Sequence, residues 1–143
     1  MSDLHIILHC LPREIDELER IVNHLKRSSH FLESNDEVIL DFTLNLSDKL
    51  TDWETSKLPK EFFADKFEMM KQRCDWTSKN IFEINDSNRC LGINDKRRNS
   101  IRENNPKNFM YLDTDVYFSM FNLSYLFRAM EQIDNEYYIL NSQ

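Results

Sequence analysis

Glycine is almost absent from this chain: 143 residues contain one, Gly92. The phosphate loops of dinucleotide-binding folds and of P-loop nucleotide hydrolases need several glycines at fixed spacing, so both designs are excluded. Cysteine is scarce as well. Cys10, Cys74 and Cys90 are odd in number, widely spaced and form no Cys-x-x-Cys pair. That pattern argues against a disulfide framework or a zinc site, and for buried thiols in a reducing compartment. Long apolar runs are missing too: nothing approaches the roughly eighteen residues of a membrane span. The start, Met1 to His5, shows no basic segment followed by an apolar core. These absences predict a cytoplasmic, soluble protein with no transmembrane segment. Basic residues number 18 against 25 acidic ones, for a formal charge of -7. Like charges repel, so nucleic acid is not an expected partner. A phosphorylated small molecule stays open if a cation or a local basic cluster offsets the charge.

What is present is an alternating pattern. Residues 4–10 read as a short buried strand ended by Leu11 and Pro12. Residues 13–28 read as a helix, with Ile15, Leu18, Ile21, Val22 and Leu25 recurring at helical spacing. Residues 36–45 read as a second strand and residues 46–58 as a loop with Trp53 tucked inward. Pro59 sits where a first helical turn accepts it, and Phe63, Phe67, Met70 and Cys74 mark one face of a helix to about residue 76. A strand at 80–85, a polar helix at 94–103 and a strand at 109–112 follow. Leu123, Leu126, Phe127, Met130 and Ile133 then give a further amphipathic helix, and residues 136–140 a closing strand. This order predicts one α/β domain over residues 1–143, with a mostly parallel central sheet covered by helices on both faces. Such sheets bind ligands beyond the carboxyl ends of their strands.

Asp113 and Asp115 close the apolar run that begins at Phe109. Strand side chains alternate, so both carboxylates are expected to point one way and Thr114 the other. Two hard oxygen ligands at a strand end suit a divalent cation whose shell a substrate phosphate completes. Asp41 and Asn45, in or after the second strand, can hydrogen-bond a base or ribose, or simply face a loop. Lys96, Arg97 and Arg98 form the one triple basic run. A guanidinium from it suits a diphosphate bidentately, although Arg97 and Arg98 cannot both point inward. His5 and His9 share a strand face and read as histidines satisfied by neighbours. Phe109, Tyr111, Tyr117, Phe118 and Phe121 read mostly as core.

The region from Leu91 to Ser142 resembles the nucleotide-sugar-dependent glycosyltransferases of the GT-A fold. Residues 91–101 look like that family's helix before its motif strand, and residues 108–118 are similar to its strand-then-Asp-x-Asp signature. The resemblance implies a GT-A-like fold and metal-dependent transfer from a nucleotide-diphosphate sugar to an acceptor the residues do not name. It implies that Asp115 ligates Mn²⁺ or Mg²⁺, with Asp113 on the ribose or on the metal through water. Cys10, Leu11, Pro12, Asp41 and Asn45 would border the nucleoside, with Arg97 and Arg98 near the diphosphate. Complete members are usually longer, with an acceptor half and, in inverting enzymes, a carboxylate base. No base is nominated among Glu131, Asp134 and Glu136. A homo-oligomer or a partner chain is expected to cover the missing half. Two other readings stand beside this one: a non-catalytic binding module that keeps the fold, and a nucleotidyltransferase, which usually needs the glycine-rich basic loop this chain lacks.

Overall fold

Four apolar runs become four strands, and all of them pair in parallel in the order β3-β2-β1-β4. They are β1 (Ser2–Cys10), β2 (Asp36–Asn45), β3 (Lys79–Asn85) and β4 (Phe109–Tyr111). Between and after them lie the helices α1 (Ile15–Ser28), α2 (Lys60–Arg73), α3 (Ile93–Asn104) and α4 (Asn122–Gln132). The structure, a computed structural model, describes residues 2–47, 57–86, 92–117 and 119–132. Trp53, Cys90, Phe118, Ile133 and the expected strand at 136–140 lie outside them.

The alternation of β1 and β2 decides the layers. Leu4, Ile6, Leu8 and Cys10 point to one face with Val38, Leu40, Phe42 and Leu44, and all are buried. Onto that face pack Leu18, Ile21, Val22 and Leu25 of α1, Phe63, Phe67 and Met70 of α2, and Leu123 and Phe127 of α4. Each fully buried side chain of this size is worth about 1.5–3 kcal/mol, so this face carries most of the folding energy. The opposite face presents His5, Ile7, Asp41, Thr43, Ile81 and Glu83, and α3 lies against it.

Connection handedness explains the division. The chain steps from β1 to β2 to β3 in one direction, with α1 and α2 on one face. It then returns across the sheet to β4, and a right-handed crossover in the reverse direction puts α3 on the other face. The strand order therefore reverses between β1 and β4. Open parallel sheets have their crevice at that place, beyond the carboxyl ends.

Two boundaries differ from expectation for local reasons. Pro12 opens a short 3-10 turn (Pro12–Glu14), which displaces the start of α1 to Ile15. Strand β4 stops at Tyr111, one residue early, although the Leu112 N–H still donates to Ile7 O at 2.9 Å. Helix α3 ends at Asn104 and is capped by Asn105, whose φ of 44° is left-handed, a conformation asparagine tolerates at a helix end. That turn sends the chain into β4.

The aromatic residues around the aspartates are not core. Phe109, Tyr111, Tyr117 and Phe121 are all substantially exposed. The cause is position: among the described residues β4 is an outer strand, and its odd-numbered side chains face the side on which α3 is the one helix that packs. Tyr117 instead covers the Arg20 guanidinium, 3.9 Å from its ring centre.

Candidate functional site

Beyond β4 the chain turns at once. The Val116 N–H reaches Asp113 O at 3.3 Å, so Asp113, Thr114 and Asp115 occupy a turn rather than a strand end. Exposure nonetheless alternates along the turn. Thr114 is buried and Asp113 and Asp115 are exposed, because the turn is held from beneath by two residues of the β1–α1 segment. Thr114 Oγ1 donates to Glu14 Oε2 at 2.6 Å, and Glu14 Oε1 accepts the Leu11 N–H at 2.8 Å. Arg20 donates to the carbonyls of Thr114 and Val116 at 3.0 and 2.9 Å. Charge-assisted bonds of this length are the stronger kind, so the pair of aspartates is presented on a fixed platform. Glu14 and Arg20 were not legible as site residues, since each reads as an ordinary polar position on an amphipathic helix.

The basic run divides three ways. Lys96 turns inward, Arg97 sideways and Arg98 outward. Arg97 Nη2 lies 3.1 Å from Asp113 Oδ1, and its guanidinium stands 4.5 Å from the centre of the Tyr111 ring. Arg98 pairs with Asp95 on its own helix at 2.9 Å. Lys96, only 5% exposed, reaches the Asp41 carboxylate through the sheet-facing side of α3.

Asp41 thus has a different place from the one expected. It is 2% exposed, sits in the middle of β2 opposite Ile7, and serves a buried polar network rather than a nucleoside. His5 Nε2 lies 3.0 Å from Asp41 Oδ2, and Asn104 Nδ2 lies 3.3 Å from the same oxygen. An ionised carboxylate only accepts, so His5 Nε2 carries the proton. The reading of His5 as satisfied by a neighbour holds. Burial by itself raises the Asp41 carboxyl, but hydrogen bonds from His5, Lys96 and Ser100 and the Lys96 charge bring it down to about 2.

The sign of the pH effect follows. A carboxyl held lower in the folded chain than its unfolded value near 4 stabilises fully above that value, and the benefit vanishes as pH falls toward 2. The gap corresponds to roughly 2 kcal/mol. Unfolding free energies of the wild type and of Asp41→Asn, taken from urea titrations, are expected to converge by about that amount between pH 4 and pH 2. Parallel curves over that range would show that Asp41 is not the group involved.

Between α3 and strands β2 and β3 lies a cavity of about 100 Å³, lined by Asp41, Thr43, Glu83, Lys96, Asn99 and Glu103 among others. Ligand pockets usually span about 300–1,000 Å³, so this one has room for a few waters and not for a nucleotide.

The remaining expected residues are mostly interior. Cys10 points into the hydrophobic core and Pro12 is buried, while Leu11 is half-buried beside the Glu14 turn. Asn45 is fully buried and accepts from Asn85 Nδ2 at 3.0 Å and from Ser47 N at 3.2 Å. Burial, followed by the Glu14 charge, pushes the Cys10 thiol well above its usual value. Burial also raises Cys74 to about 12. Neither supplies a thiolate at neutral pH.

As ligands, Asp113 and Asp115 offer hard carboxylate oxygens on the solvent side of one turn, which suits Mg²⁺ or Mn²⁺. Among the described residues no group of three or more His, Cys, Asp and Glu side chains could hold a metal ion. A cation at this turn would take its other ligands from water and from the phosphates it carries, as these ions commonly do. No helix among the described residues is long and apolar enough to cross a membrane. Comparison with protein families, with curated proteins and with solved structures gave no match to this chain.

Proposed function

We propose that this chain is a metal-dependent glycosyltransferase domain of GT-A type, or the donor-binding half of one, acting on a nucleotide-diphosphate sugar. The observation that carries the reading is the pair of exposed aspartates on a braced turn beside the reversal of strand order between β1 and β4. The physical need is specific. Cleaving a sugar–diphosphate bond leaves negative charge on the departing diphosphate, in a protein that is itself at -7. A divalent cation bound at the aspartates supplies Lewis-acid neutralisation of that charge. The chain's own residues divide the remaining work: Asp113 and Asp115 provide the anionic anchor, and Glu14, Thr114 and Arg20 fix the anchor's position. Arg97 brings a guanidinium to within 3.1 Å of it.

The exposed Phe109 and Tyr111, neighbours on the α3 side of β4 with ring centres 5.5 Å apart, favour a second reading, a binding module whose aromatic surface takes a partner chain. Calorimetric titration with UDP, GDP and their sugars, with and without Mn²⁺, separates the cases. Binding that requires the metal is expected. Absence of nucleotide binding in both conditions would sink the donor-site reading. Binding with no sugar transfer or hydrolysis would favour the module.

A further inference from the structure

Resting on that donor-site reading, we infer that Arg97 is an exchangeable partner of the aspartate pair. It neutralises Asp113 while the site is empty, and moves to the diphosphate oxygens when a cation-bound nucleoside diphosphate arrives.

Three observations support the exchange. First, the Arg97–Asp113 contact is of the weak kind. Its one nitrogen–oxygen approach of 3.1 Å joins side chains that are 28% and 54% exposed. Exposed pairs of this type contribute little, because water screens the charges and both side chains lose freedom. A phosphate offers the same guanidinium two parallel, charge-assisted bonds, so exchange is favoured. Second, the guanidinium is held from another side by the Tyr111 ring at 4.5 Å. That contact does not involve Asp113, and it gives the head group a pivot when the carboxylate lets go. Third, the backbone beneath Arg97 is fixed. The neighbouring Lys96 is buried on Asp41, and Asn104, two turns on, bonds the same carboxylate. The motion therefore falls on the Arg97 side chain and not on α3.

The neighbouring Arg98 is placed differently: it lies on the outward side of α3, exposed and beside Asp95 of its own helix at 2.9 Å, and among the contacts of the described residues it makes none with Asp113. An alternative in which Arg97 only braces the turn is less consistent with the pattern of bonds. Thr114 and the carbonyls of the turn are already held by Glu14 and Arg20.

Opposite signs distinguish an exchangeable partner from a brace. In Arg97→Gln, the affinity for Mn²⁺ alone, read from the electron paramagnetic resonance of free and bound ion, is expected to rise about threefold to fivefold as a competing cation is removed. In the same variant, UDP or GDP affinity at saturating Mn²⁺ is expected to fall at least about tenfold by calorimetry. Arg97→Lys should fall between, keeping the charge but losing the two-pronged geometry. Arg73→Gln, which removes a bond to Glu19 on the opposite face, serves as the control and should leave both affinities unchanged. Far-ultraviolet circular dichroism confirms that each variant is folded.

If Arg97→Gln weakens both affinities, or changes neither, while the wild type shows metal-dependent nucleotide binding, the exchange is overturned and the donor-site reading stands. If the wild type binds neither Mn²⁺ nor nucleotide, both fall together.

Discussion

Lys96→Met is expected to cost about 3–5 kcal/mol of folding stability, the effect of leaving a buried carboxylate without its counter-charge. Lys96 and Asp41 are 5% and 2% exposed, and the two meet directly between α3 and the sheet. The methionine keeps most of the side-chain volume, so lost packing contributes little to the change. What remains is Asp41 bonded to His5 and Asn104, without the lysine, in a place water scarcely reaches. Adding Asp41→Asn to the variant removes the orphaned charge, and part of the loss should return. The coupling is read from a double-mutant cycle of urea midpoints. Additive losses would mean that the two residues do not act as a pair. The pair's net value is a separate matter: desolvating two charges offsets much of their attraction, and its role here is to specify where α3 sits. That placement matters because Arg97 is the next residue along.

Asp115→Ala is expected to weaken Mn²⁺-dependent binding of UDP or GDP by at least about a hundredfold, or roughly 2.7 kcal/mol. With two carboxylates on the turn, one substitution removes half of the anionic anchor on which the cation would depend. Folding stability should stay within about 0.5 kcal/mol of the wild type, because Asp115 is exposed on the far side of the bonds that brace the turn. Calorimetry and a urea titration on the same preparation read the two quantities together. Metal-dependent binding that survives in Asp115→Ala would move the donor site elsewhere. A large stability loss would instead assign Asp115 to the fold.

Several elements were legible because a single period or residue type decided them. The helical spacing of Ile15, Leu18, Ile21, Val22 and Leu25 can serve only one buried face, and α1 buries all five against the sheet. Residues 36–45 were likewise legible as a strand, and β2 spans those same residues. One signal in that strand was present and could have been used further. Asp41 interrupts an otherwise apolar run, and a charge buried in a sheet needs a buried partner. Lys96, Ser100 and Asn104, spaced four apart, form the polar stripe that supplies it. Nothing in the sequence joined that stripe to Asp41, which lies 55 residues before Lys96.

Sequence alone determined the α/β alternation, the exclusion of glycine-rich phosphate loops, and the position of the paired aspartates just past an apolar strand. Those follow from local rules: side-chain period, the need for glycine in tight phosphate turns, and the order of the elements. Only the tertiary structure decided that β4 lies beside β1 and ends at Tyr111, that the aspartates sit on a turn, and that Glu14 and Arg20 hold that turn. It also decided which member of the Lys96, Arg97 and Arg98 run faces inward. The physical reason is that a side chain's role depends on what the crossover brings near it. The return from β3 to β4 put α3 over the polar face, where Asp41 could take Lys96 and leave Arg97 beside Asp113.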